Sequence, residues 1–184
     1  MNPVTHLLVG WTLAEAADLP RRDRALVTLA AVAPDLDGLG LLLDVAGGVQ
    51  PSVGAYGAYH HVLAHNLAAA LVCAVLAFAV ARQRALCAGL VFVSFHLHLL
   101  GDLVGSAGPA RSIWSLAYLY PFSDRLFAWQ GQWELNAWPN VLVTVVLLAW
   151  TGVLAVRRGR SPLELVSKRA DAAVVTALRG RFAT

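Results

Sequence analysis

Three of the six histidines in this 184-residue chain fall within six positions, in Tyr59-His60-His61-Val62-Leu63-Ala64-His65-Asn66. They stand at the head of an apolar stretch that runs to Ala81. His6, His96 and His98 and the carboxylates Asp35, Asp37 and Asp102 also lie in or beside apolar segments. Imidazole and carboxylate together are the ligand set for zinc, manganese or non-haem iron. In apolar surroundings such groups are costly unless something uses them. His98 and Asp102 are four apart, so they share one helical face and can grip one ion. His96, two residues earlier, points the other way and reads as a packing or hydrogen-bonding residue. His61 and His65 form the favoured pair on a regular helix, whereas His60 and His65 converge only if the helix begins after His60. Asp35 and Asp37 would diverge on a helix, but Pro34 and Gly38 supply a break that lets both turn inward.

The elements that must position these groups are apolar helices. Hydrophobic residues make up 58% of the chain and charged residues 14%, against roughly a quarter charged in soluble domains. The mean hydropathy is +0.63, and the combination points to a membrane. Residues 4–18 read as a short helix carrying Glu15, and 25–43 as a helix that kinks or ends near Pro34. Residues 44–59 read as a Gly/Pro loop, and 60–81 as the cleanest spanning candidate. Residues 85–104 form the next helix, 105–138 a long aromatic loop, and 139–156 a last apolar helix. No cleaved signal peptide is read at the N-terminus, and Cys73 and Cys87 read as buried hydrophobes.

The expected fold is all-α: a polytopic membrane bundle of about five apolar helices, up-down, in residues 1–160. Residues 161–184 form a basic tail. Ser161-Pro162-Leu163-Glu164 has the pattern of a capping box. Leu163, Val166, Ala170, Val174 and Leu178 then recur at helical spacing, as in an amphipathic helix on a membrane surface.

Twelve of the fourteen Lys and Arg residues lie at 21–24, 82–84 and from 157 onward. Antiparallel helices bring these clusters to one side, which the positive-inside rule makes cytoplasmic. At about 1.5 Å per residue, Asp35 lies about 16 Å from Arg24 and His98 about 21 Å from Arg84. His6 and His60 to His65 begin their helices, so every candidate lands in the outward half. Three acids and several histidines then share one level without a nearby Lys or Arg. A cation is the simplest way to offset such buried carboxylates.

Thr5-His6, Pro34-Asp35-Leu36-Asp37, His60 with His65, and His98-Leu99-Leu100-Gly101-Asp102 follow one another in order over about residues 5–102. As a set they resemble the YdjM-like inner-membrane metal-dependent hydrolases, whose pattern is an N-terminal His, P-D-x-D, H-R-G-x-T-H-S and H-x-x-x-D. In the third motif His61 stands for the arginine, Val62 for the glycine, Ala64 for the threonine and Asn66 for the serine. The resemblance implies a bundle similar to zinc-dependent phospholipase C and hydrolytic chemistry at one or more zinc-like ions. It favours His60 as a ligand where helical geometry favours His61.

On that reading His6, Asp35, His65, His98 and Asp102 hold the metal with His60 or His61 beside them. Zinc is the first choice, with manganese or iron as alternatives. Asp37 is a ligand or a general base, and His61 is the other catalytic candidate. Arg125 and Glu134, in the outer loop, would shape a substrate mouth. The reaction would use metal-activated water on a phosphoester or lipid-like substrate. A metal-binding or transport protein is the alternative, and a haem protein ranks last because haem does not require the acids. The partners expected are membrane lipids and a small-molecule or lipid substrate, with no nucleic acid.

Overall fold

A computed structural model describes residues 1–50, 53–108 and 112–182. Pro51 and Ser52 of the Gly/Pro loop, and Arg111 of the aromatic loop, lie outside the described residues. The chain is helical, with α1 (Pro3–Ala16), α2 (Arg21–Ala30), α3 (Gly40–Gly47), α4 (Ala55–Tyr59), α5 (Leu67–Val80), α6 (Arg84–Gly105), α7 (Trp138–Arg158) and α8 (Lys168–Phe182). Short 3₁₀ turns at Pro34–Leu39 and Pro162–Leu165 join some of them. No strand forms among the described residues.

Two helices, α6 and α7, are long and apolar enough to cross a membrane. A third span is possible if α2 and the segment Pro34–Gly47 are counted together, although they are bent by 61°. The bend falls where Pro34 enters a 3₁₀ turn, because proline has no N–H to continue the ladder. α1 has no such break, and its start is set by Asn2, whose side chain accepts from Thr5 N at 2.9 Å.

The expected span over 60–81 is shorter in the structure. Asn66 caps α5 by accepting from Ala69 N at 2.9 Å, so the helix begins only at Leu67. Its fourteen residues reach about 21 Å, well short of the roughly 30 Å of a hydrocarbon core. The expected loop over 44–59 also holds more structure, because α3 continues to Gly47 and α4 follows. The isolated bridges Ala107–Glu134 and Leu116–Phe127 fasten the aromatic loop between α6 and α7.

In the tail, Ser161 accepts from Leu163 N, but Glu164 does not return to the Ser161 N–H, which donates to Asp171 Oδ1 at 2.6 Å. The capping box is therefore incomplete. Glu164 is drawn instead to the buried guanidinium of Arg24, at 2.8 and 2.9 Å. α8 starts only at Lys168, which leaves Leu163 and Val166 of the expected stripe outside it. Val175 is its buried residue, and Leu178 and Phe182 line a groove with Ala149, Gly152 and Val153 of α7.

The basic stretches do converge at one end. The Asp23 carboxylate accepts from Arg82 N and Gln83 N at 3.0 and 2.8 Å. Arg24 and Arg160 lie on Glu15, with Oε1 distances of 3.3 and 2.8 Å. The apolar core between α1, α2, α5 and α6 includes Ala14, Val27, Ala77, Cys87 and Val91, and it separates this end from the histidines.

Candidate metal centre

Four segments bring the histidines and acids together at the opposite end. His6 comes from the first turns of α1, Asp35 and Asp37 from the 3₁₀ turn, His60 to His65 from the turn before α5, and His98 and Asp102 from the last turns of α6. That last pair lies on one face, with His98 Nε2 2.9 Å from Asp102 Oδ2.

The ring tautomers follow from the partners on the far nitrogens. His98 Nδ1 lies 2.8 Å from the Ala31 carbonyl, which can only accept, so Nδ1 carries the proton. His65 Nδ1 lies 3.0 Å from Asp37 Oδ2 and is protonated for the same reason. Both Nε2 atoms are then left with lone pairs, and they face each other at 3.2 Å. Two lone pairs at that distance repel unless a positive charge lies between them.

Asp102 Oδ2 is 3.5 Å from His65 Nε2, and Asp35 Oδ1 is 3.7 Å from His98 Nε2. A tetrahedral ion with bonds of about 2.0–2.1 Å needs ligand atoms about 3.3–3.4 Å apart. The four separations, from 2.9 to 3.7 Å, bracket that value. Asp35, His65, His98 and Asp102 are thus able to hold a metal ion. The second carboxylate oxygen of Asp35 is buried without a partner, a further sign of an unmet positive charge.

His6 sits behind this group. Its ring stacks on His98 at 3.8 Å between centroids, and its Nε2 is 3.1 Å from Asp102 Oδ1. Ser106 Oγ donates to the same oxygen at 2.8 Å, and the Met1 amino group also lies on it. Gly101 permits the approach of His6, because a Cβ there would lie 3.0 Å from His6 Cε1.

Asp37 is surrounded by donors. Its carboxylate meets His60 Nδ1 at 2.7 Å and His65 Nδ1 at 3.0 Å, and it accepts from the N–H groups of His61 and Ala64, each at 3.1 Å. Asp37, His60 and His65 are also close enough to hold an ion, but the hydrogens on both ring nitrogens point at this carboxylate. The arrangement suits a carboxylate that orients a histidine whose other nitrogen is the ligand.

Regular helical geometry favours His61 over His60, but the helix begins only at Leu67 and does not extend there. Residues 60–66 form turns, and His61 adopts a left-handed φ of 69°, uncommon for a residue with a Cβ. Its ring stacks on His65 at 4.2 Å and abuts Trp114 at 3.7 Å. His61 Nδ1 is buried without a partner. Both His60 and His61 line a cleft of about 470 Å³ with Tyr56, Gly57, Ile113, Trp114 and Ser115. The turn is outside every candidate span, and its charges are uneven. Burial, then the neighbouring His65 and His60, push His61 down to about 2. Burial also opposes a charge on His65, but its hydrogen bonds with Asp102 and Asp37 outweigh that and raise it to about 9, so without an ion a proton occupies Nε2 and metal binding displaces it. A positive charge is favoured between the two carboxylates.

α4 reaches this place through Asp44, a buried acid absent from the sequence-based set. Its carboxylate accepts from Ala55 N and Tyr56 N at 2.7 and 2.8 Å. Gly54 is required there, since a Cβ would fall 2.3 Å from Asp44 Oδ1. Trp114 was also unforeseen, because an interfacial belt explains a tryptophan in an outer loop equally well. His96 has the expected hydrogen-bonding role, with Nδ1 2.8 Å from the Phe92 carbonyl and Nε2 2.9 Å from Tyr118 Oη. Arg125 lies over the Phe127 ring at 5.1 Å. Glu134 lines a separate cavity with Gln130, Trp133 and Trp138. Neither belongs to the described lining of the cleft beside His60 and His61.

A family model described as YdjM inner membrane protein matches residues 1–178, and the chain belongs to that family. No curated protein and no solved structure matches it.

Proposed function

We propose that this YdjM-family protein is a membrane-bound metal-dependent hydrolase, acting on a phosphoester or lipid-like substrate that enters beside His60 and His61. The observation that carries the reading is the pair of Nε2 lone pairs of His65 and His98, 3.2 Å apart with Asp102 and Asp35 alongside. Asp35, His65, His98 and Asp102 would hold the ion, and His6 steadies Asp102 or joins them. Zinc suits two imidazoles and two carboxylates at these spacings, with manganese or iron as alternatives.

When bound, such an ion polarises an ester oxygen and lowers the pKa of water toward about 7. The remaining roles fall to the chain itself. Asp37 fixes the tautomer and angle of His65 and holds His60 at the cleft wall. His61, locked by its left-handed backbone and by Trp114, presents an unpartnered Nδ1 in a stacked position beside the cluster. Held neutral by burial, a nitrogen so placed can accept a hydrogen bond from the attacking water and orient it. Trp114 and Ile113 narrow the cleft and limit water around the reacting groups. Arg125 and Glu134 belong to the outer loop that would form the wider substrate mouth.

We read the apolar helices as an up-down bundle of phospholipase C-like form, with basic loops and tail cytoplasmic and the metal toward the outer face. The test is product release from a panel of phospholipids and soluble phosphodiesters by protein in proteoliposomes. Release abolished by chelator, restored by zinc, and lowered about 10²-fold in His61→Ala supports the reading. Metal-loaded protein that cleaves none of the panel, with His61→Ala indistinguishable from wild type, opposes it.

One observation favours a second reading, cation transport. Thr12 Oγ1 and Thr151 Oγ1, on the helices α1 and α7, are buried without hydrogen-bond partners. These polar atoms would line a route away from the metal cluster. Zinc flux into liposomes, without substrate cleavage, would select that reading.

A further inference from the structure

Arg21, Arg22 and Arg82 surround a cavity of about 370 Å³ at the basic end, which Pro20, Ala25, Glu164 and Leu165 complete. All three arginines are exposed, and none forms an ion pair among the described residues. The acids nearby are already engaged. The Glu164 carboxylate is held by Arg24 through two bonds, at 2.9 and 2.8 Å. The Asp23 carboxylate is taken up by the N–H groups of Arg82 and Gln83. Arg21 donates to the Glu164 carbonyl, which fixes its guanidinium at the rim. The cavity therefore gathers three guanidinium groups, none of them paired with a carboxylate among the described residues. Its apolar wall of Pro20, Ala25 and Leu165 suits the glycerol and upper acyl carbons of a lipid.

Its depth matters as much as its charge. Arg82 is two residues before α6, a candidate span, so the cavity lies at the end of that span, where headgroup phosphates sit. Arginine forks match phosphate oxygens with paired hydrogen bonds.

We propose that Arg21, Arg22 and Arg82 form a binding site for a phosphate-bearing anion, the headgroup of an anionic phospholipid or free phosphate. This site is separate from the metal centre and does not depend on hydrolysis.

The test follows the thermal unfolding midpoint of the full-length, detergent-purified protein during titration. The additions are dioleoylphosphatidylglycerol, dioleoylphosphatidylcholine or inorganic phosphate. The anionic lipid should raise the midpoint saturably, and phosphatidylcholine should not. Arg22→Gln/Arg82→Gln should raise the half-saturating concentration about tenfold or more. Arg169→Gln/Arg181→Gln, with the same charge loss on exposed positions of the tail, should change it less than about twofold. If the first double variant does not fold, Arg22→Gln alone carries the comparison, since it removes one exposed guanidinium and no side-chain hydrogen bond among the described residues. A shift with inorganic phosphate alone assigns the site to free phosphate; a shift with the lipid alone assigns it to the headgroup. Equal weakening in both double variants, or no shift with either anion, overturns the proposal.

Discussion

Each end of this helical protein buries acidic side chains, but the two ends neutralise them differently. At the basic end Glu15, Asp23 and Glu164 are 1, 0 and 5% exposed. They meet the guanidinium groups of Arg24, Arg158 and Arg160 or backbone N–H groups. At the other end Asp35, Asp37 and Asp102 meet histidines, hydroxyls, backbone N–H groups and the Met1 amino group. No guanidinium or lysine reaches them among the described residues. A guanidinium is always charged and cannot be withdrawn, so the first cluster is complete within the chain. An imidazole can be neutral and present a lone pair, so the second is suited to an added cation. The contrast separates acids that hold the helices together from acids able to bind a metal.

The largest expected effect is at the basic end. Arg24→Ala leaves Glu15 and Glu164 without their shared partner, and losing one side of a buried pair costs about 3–5 kcal/mol. Thermal unfolding should show this loss, while the metal content of the protein that remains folded stays at the wild-type level. A parallel loss of metal would mean that the ends are not independent.

Asp102→Asn should do the reverse. It keeps the shape but removes a ligand charge, so metal affinity should fall beyond the roughly 100-fold of a supporting-residue change. The unfolding midpoint without metal should stay within a few degrees of wild type. Chelator should lower the midpoint of wild type, which gains stability from ligand binding, and leave Asp102→Asn unchanged. Asp37→Asn should fall between, with about a 10–100-fold loss of affinity, because it disturbs only the orientation of His65 and His60. Competition with a zinc indicator measures all three chains. The smallest effect is expected at a contact between α1 and α7 beside the metal end. Thr144→Val removes the Thr5–Thr144 hydroxyl contact of 2.5 Å between α1 and α7, and should cost about 0.6 kcal/mol of unfolding free energy.

The sequence revealed the metal end more readily than the basic end. Long apolar runs located α6 and α7, and charge clustering brought 21–24, 82–84 and 157–160 together. His98 and Asp102 were legible because their spacing lies within one regular helix. The turn at 60–66 was not, because Val62, Leu63 and Ala64 continue the apolar composition of α5. Asn66 was the available signal, as a residue type that starts helices. The left-handed backbone of His61 has no counterpart in the local pattern. Nor did Glu164 announce its partner: its position after Ser161 suggested a local cap, whereas Arg24 lies 140 residues away. Local spacing identifies pairs on one element, and long-range pairs appear only when the fold closes.

The most direct test of the account is the metal content of the detergent-purified protein, measured by elemental analysis for wild type, His65→Ala and Asp102→Ala. The wild-type chain should carry about one or more zinc-like ions, with most of that content lost in each variant while the chains remain folded. Equal metal content in all three would contradict it.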